Sequence, residues 1–99
     1  MITIQNIKDW SKPHSIGLGA RRTRIANNAI EFSIVGGGTG LYGDFENTFE
    51  LAIFDVESGD FMTRFFYPEG GDDVIPYMRG EDLETLVNKL IKNKDFQVR

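Results

Sequence analysis

Apolar residues recur along this chain with two different periods. In "EDLETLVNKLIKN", Leu83, Leu86, Val87, Leu90 and Ile91 fall at i, i+3, i+4, i+7 and i+8, the stripe of an amphipathic helix. Glu81, Asp82 and Glu84 crowd its first turn, while Lys89, Lys92 and Lys94 stand at or beyond its last, as the helix dipole favours. Near the N-terminus, Ile4, Ile7 and Trp10 also have roughly helical spacing. Pro13 disfavours helix at Lys12, so a short helix would end near Ser11. "MITIQ" alternates as a strand would, which leaves helix or strand open for this segment.

The period-two segments read as two hairpins. In "TRIANNAIEF" two β-prone runs flank Asn27-Asn28, and Asn tolerates the positive φ that a two-residue turn demands. With those two residues as the loop, Ile25 faces Ile30 and Thr23 faces Phe32, while Arg24 faces Glu31 and Arg22 faces Ser33. Apolar and ionic pairs then separate onto opposite faces, which supports the register. In "TFELAIFDVESGDFMTRFFYP", Phe49, Leu51 and Ile53 alternate with Thr48, Glu50 and Ala52, and beyond the turn Phe61, Thr63, Phe65 and Tyr67 alternate with Met62, Arg64 and Phe66. A three-residue Glu57-Ser58-Gly59 loop pairs Leu51 with Phe65 and Phe49 with Tyr67. Pro68 closes that strand, "EGGDDVIPYMRG" reads as an irregular surface segment, and the tail "DFQVR" is either a short edge strand or loose.

The expected fold is α+β: a four-stranded, mostly antiparallel sheet of two hairpins with the C-terminal helix across one face. Phe54, Met62 and Phe66 fall on the other face. Either the N-terminal segment covers them, or they form an exposed aromatic patch suited to binding or to a homodimer.

Composition narrows the picture. At 99 residues, 40% hydrophobic and 26% charged, the chain is a single globular domain over residues 1–99. Without cysteine it has neither disulfides nor thiolate metal sites. The opening "MITIQNIKDW" lacks the features of a signal peptide and no apolar run is long enough for a membrane span, so a cytoplasmic protein is expected. Charge is lopsided within a net −4. Residues 1–30 carry five basic groups against Asp9, hence +4; residues 41–84 carry twelve acids against Arg64 and Arg79, hence −10. Such a field can steer association, although solvated turns and helix starts also favour acids.

"IVGGGTGLYGDFE" contains Gly38, Gly40 and Gly43 in the spelling G-x-G-x-x-G. The dinucleotide fingerprint needs a helix N-terminus after the glycines, yet a strand pattern comes next, and Asp44 and Glu46 would repel an anion. The kinase loop of that spelling needs a lysine on a following strand, where "LAIF" offers Phe54. A mobile hairpin loop is therefore expected, with Leu41 and Tyr42 at its tip free to order against a partner. His14 has no nucleophile at a recognisable spacing, and Asp72-Asp73 lacks the alternating acids of a calcium loop. No catalytic residue, cofactor site or metal site is assigned. "ARRTR", with Arg21, Arg22 and Arg24, offers a β-ribbon route to nucleic acid, which the acidic balance and small footprint disfavour.

The segments "ENTFELAIFDVESGDFMTRFFYPEGGDDVI" and "GEDLETLVNKLI", within residues 46 to 91, resemble in style the small accessory proteins of tailed bacteriophages. The resemblance implies a non-enzymatic protein that binds and inhibits or redirects a host protein, such as a defence nuclease complex in the manner of anti-CRISPR proteins. Host cytoplasm would then be its location. Independently, Asp44, Glu46, Glu57, Asp60, Asp72 and Asp73 sit in expected loops or near strand ends. With Tyr42 beside them they would form an acidic docking surface for a basic groove shaped to nucleic-acid phosphates.

Overall fold

The computed structural model describes residues 1–38, 40–70, 72–92 and 95–99. It is an α+β fold with a six-stranded antiparallel sheet. In chain order the elements are α1 (Ile4–Asp9), β1 (Lys12–Pro13), β2 (Arg21–Ala26), β3 (Ile30–Gly36), β4 (Thr48–Asp55), α2 (Thr63–Phe66), a 3-10 turn (Pro68–Gly70), β5 (Ile75–Arg79), α3 (Gly80–Leu90) and β6 (Gln97–Val98). The strands lie in the order β1-β2-β3-β4-β5, and β6 shares the outer edge of β2 with β1. Two strands more than expected are thus present, and the tail is an edge strand.

The helical segments form for local reasons. Thr3 and Asn6 make a capping box that satisfies the first N–H groups of α1. The last turn of α1 is tied to the sheet, because the Thr23 hydroxyl, fully buried, donates to the Ile7 carbonyl at 2.6 Å. Asn88 grips the backbone N–H and carbonyl of Ile2 at 2.8 and 2.7 Å, and a Glu84 carboxylate oxygen accepts from Ile4 N at 2.9 Å. These contacts dock α1 against α3. Leu83, Leu86, Val87 and Ile91 enter the core as the stripe requires, with Leu90 half-buried; Lys94 lies outside the described residues.

The first hairpin forms two residues out of the expected register. Ile25 faces Phe32 and Thr23 faces Ile34, with Arg24 opposite Ser33. Asn27 sets the turn from its side chain: its Oδ1 accepts from Ala29 N and Ile30 N, both at 2.8 Å, so no positive φ is needed. A shift of two preserves faces, and the Arg24–Glu31 ion pair survives as a diagonal contact, with Nε–Oε2 at 2.8 Å and Nη2–Oε1 at 3.1 Å.

The second hairpin departs further. Its turn holds four residues, Val56 to Gly59, closed by Asp55 N to Asp60 O at 2.8 Å, with Gly59 left-handed at φ 78° as expected. One extra loop residue flips the returning strand, so Phe61 meets Phe54 on the face away from the core. The return then stops. Residues Thr63–Phe66, expected to be strand, form α2, and Phe65, expected opposite Leu51, is 75% exposed. Met62 and Phe66 pack at the margin of the core, half-buried, rather than beneath the N-terminal segment. The partner of Leu51 is instead Ile75 and that of Phe49 is Met78, on a strand β5 made from the segment expected to be irregular.

Ile53 marks the exchange. Its N–H has lost a strand partner on that edge, and the buried Thr63 hydroxyl replaces it, accepting from Ile53 N at 2.9 Å. Replacing Thr63 by Val keeps the shape but orphans a buried donor. The expected cost is about 1–3 kcal/mol in urea denaturation with no change of fold by circular dichroism.

Candidate functional site

One end of the sheet gathers the loops before β2 and between β3 and β4, together with the last residues of β5. Three non-glycine residues among those described have left-handed backbones, Leu18 (φ 58°), Phe45 (φ 60°) and Tyr77 (φ 52°), and all three lie there. Such conformations cost of order 1–3 kcal/mol each, and they persist where surrounding contacts over-determine them.

The contacts are visible. Across from Glu50, β5 carries two residues, Pro76 and Tyr77, a bulge that breaks the ladder between Phe49–Met78 and Leu51–Ile75. The bulge swings Tyr77 toward the β3–β4 loop, where Tyr77 N donates to Tyr42 O at 2.9 Å. The two rings lie 5.8 Å apart and remain 49% and 61% exposed for Tyr42 and Tyr77. In the loop before β2, the Gly17 and Ala20 N–H groups and the His14 ring nitrogen close tight turns that hold Ile16 and Leu18 outward, 50% and 77% exposed. His14 is thus a turn residue, its Nδ1 accepting from Ile16 N at 3.0 Å.

The glycine run joins these loops by close packing. A Cβ on Gly38 would stand 2.6 Å from that of Ala20, and one on Gly43 would stand 2.9 Å from the Phe49 Cα. Gly43 leads into a turn and β4, with no helix N-terminus presented to an anion. The loop expected to be mobile is instead hydrogen-bonded, Gly37 N to Gly43 O at 3.0 Å; Thr39 lies outside the described residues.

Asp44 organises the remainder. Its Oδ1 accepts from the N–H groups of Glu46 and Asn47 at 2.8 Å and of Thr48 at 3.0 Å, which lets Phe45 turn its ring into the core against Phe49. These backbone donors, that of Thr48 foremost, hold its carboxyl well below the ordinary carboxylate range. Asp44, expected to face a partner, has one of its two oxygens committed to the turn. Glu46 is exposed and pairs with Lys8 at 3.3 Å. Gly80 N donates to Asn47 O, which brings Glu81 at the start of α3 to the same end. That addition escaped sequence reasoning, because nothing in the spacing joins residues 46 and 81.

The other expected acids are elsewhere. Glu57 and Asp60 occupy the turn at the far end of β4, seven residues or about 23 Å away at strand rise. Asp55 there accepts from Ser58 N at 2.8 Å, which lowers its carboxyl below the ordinary value. Asp72 and Asp73 precede β5 at the sheet's edge, with Asp73 bound to Arg64 of α2 at 3.4 Å. Six acids therefore form three groups rather than one plate. The arginines also divide. Arg21 binds the Ser11 hydroxyl and carbonyl, Arg24 binds Glu31, and β2 lies inside the sheet rather than projecting as a ribbon.

Among the described residues no group of three or more His, Asp and Glu side chains comes together to hold a metal, and no helix is long and apolar enough to cross a membrane. Compared with protein-family models, with curated proteins and with solved structures, the chain matches none, so fold and site geometry carry the functional argument.

Gly38→Ala and Gly43→Ala are each expected to destabilise by about 1–3 kcal/mol in chemical denaturation, since the added methyl meets backbone or a buried Ala20. The depressed Asp44 carboxyl stabilises the turn at all pH values above the unfolded pKa of ~3.9, and that contribution disappears as pH falls through the lower folded value. In an NMR titration the amide shifts of Glu46, Asn47 and Thr48 should therefore hold steady through pH ~4 and move only in stronger acid.

Proposed function

We propose that this chain is a non-enzymatic protein-binding module that docks through the sheet end bearing Leu18, Tyr42 and Tyr77. One observation carries the reading: all of the left-handed non-glycine residues among those described converge where four large apolar side chains are exposed. Strain held by backbone hydrogen bonds fixes the two tyrosines before any partner arrives, so little conformational entropy is lost on binding. Aromatic anchors on a rigid frame are the residues that dominate interface energies.

Glu46 and Glu81 lie at this end of the sheet, paired with Lys8 and Arg79, and with Asp44 they suit a partner edged by basic groups. The resemblance of residues 46–91 to tailed-phage accessory proteins makes a host protein the proposed partner, inhibited or redirected by occupation of a basic nucleic-acid-binding groove, as anti-CRISPR proteins do. Glu57, Asp60, Asp72 and Asp73 stand outside this surface and are not proposed to contact the same partner face.

Affinity capture from bacterial lysate with quantitative mass spectrometry tests the reading. Tyr42→Ala combined with Tyr77→Ala should lower recovery of the specific partner by more than about thirtyfold, the effect of losing one hot-spot aromatic. Phe65→Ala, exposed at the edge of β4, should leave recovery unchanged. Equal recovery by the double tyrosine variant, once its fold is verified, would exclude this end as the docking surface.

A further inference from the structure

The core side of the sheet is covered by α1 and α3, whereas its opposite face is open and carries a different chemistry. Strand register fixes the rows on that face. Lys12, Arg22, Val35 and Glu50 form one row; Arg24, Ser33 and Ala52 form the next; Gln97, Ala26, Glu31, Phe54 and Phe61 form the third. Arg99 N donates to Arg24 O, which brings Arg99 beside Arg24 in the middle row. The small side chain of Ser33 helps leave a trough of about 450 Å³ lined by Arg22, Arg24, Arg99 and Phe54, with Phe61 against Phe54 beside it.

Both sides of the trough are prepared. Glu31, nearly buried, holds two guanidiniums at once: Arg24 at 2.8 and 3.1 Å and Arg99 at 3.2 Å. Each guanidinium has five N–H donors, so both keep spare donors while their positions are fixed. Arg22 lines the same trough. Phe54 lines the trough, and Phe61, 48% exposed, lies against it with ring centroids 4.7 Å apart and planes tilted by 38°. The trough holds three arginine side chains and two carboxylate side chains, Glu31 and Asp55, the latter turned to Ser58 N.

We infer that the open face binds a nucleotide unit, its base stacked on Phe61 and Phe54 and its phosphate held by Arg22, Arg24 and Arg99. Glu31 lies directly across from Phe54 on the neighbouring strand, so the arginines it pairs with and the aromatic pair share one face of the sheet. Stacking tolerates any base and the arginines read only charge, so the face would take a nucleotide without regard to sequence. The unit would come either from a free mononucleotide or from a single-stranded chain crossing the sheet. This site is independent of the tyrosine end, and its failure would leave the protein-docking proposal standing.

Fluorescence anisotropy with a labelled, mixed-sequence DNA oligonucleotide at low salt, competed by adenosine monophosphate, tests the inference on the intact chain. Wild type should bind the oligonucleotide, with affinity falling steeply as salt rises. Phe61→Ala should weaken binding about five- to a hundredfold, as loss of one stacking platform does. Arg22→Ala should weaken it and flatten the salt dependence, and neither side chain is needed for the Glu31 pairs. Displacement by adenosine monophosphate would identify a free nucleotide as sufficient; oligonucleotide binding without displacement would identify a chain. Absence of binding to both probes, or binding that Phe61→Ala and Arg22→Ala leave unchanged, would overturn it. So would equal loss in Tyr42→Ala, which lies at another surface.

Discussion

The outer edge of β4 has to be satisfied by two different segments, and most of the architecture is a consequence of that division. Residues Phe61 and Met62 pair with its last part, through Met62 N to Ile53 O at 2.7 Å, and β5 pairs with its first part. Between them the ladder has a gap at Ile53, which a side-chain hydroxyl fills. Buried backbone donors without partners are costly, so the Thr63 contact is what permits the chain to leave the sheet, form α2 and return. A simple hairpin would have occupied the whole edge and excluded β5.

The exchange determines where the candidate site lies. Because β5 arrives from outside the hairpin, its register against β4 is free to include a bulge, and Pro76, which lacks an N–H, fits such a place on an edge strand. The bulge puts Tyr77 against the β3–β4 loop, and the loop in turn is fixed by Asp44 and by glycines packed on Ala20 and Phe49. Local strain at Leu18, Phe45 and Tyr77 is thus sustained by a chain of contacts leading back to the split edge of one strand. The bulge also interrupts an edge that would otherwise invite pairing with another sheet.

Periodicity made α3, the first hairpin apart from its register and the first strand of the second hairpin legible in the sequence, and left α1 open between helix and strand. The amphipathic stripe and the spacing of Ile4, Ile7 and Trp10 are local signals, and local signals decide helices. The length of the turn after β4 has no such signal. Loops of three and four residues differ by one position, yet that position decides whether Phe61 and Phe65 face the core or water. Phe65 satisfies the alternation of a core strand and is nevertheless exposed, because Thr63 found a better use as a substitute ladder partner. The strand in "VIPYM" was hidden by its proline, and the rest of the tyrosine end depends on contacts between residues far apart in sequence.

Residues that look like chemistry in the sequence are largely spent on architecture. The glycines permit close approach, His14 closes a turn, and Asp44 gathers backbone donors; each has a structural partner that accounts for it. Among the large apolar side chains, Ile16, Leu18, Tyr42 and Tyr77 at one end and Phe61 and Phe65 at the edge have no such account. Exposing them forfeits hydrophobic stabilisation that burial would bring, about 1.5–3 kcal/mol for each large side chain. In a chain of this size, whose whole stability is of order 5–15 kcal/mol, that forfeiture is large. A surface shaped only for stability would place polar residues there, as this chain does at Glu57 and Asp60. The cost therefore points to contacts made outside the monomer, with the backbone already committed to the geometry those contacts require.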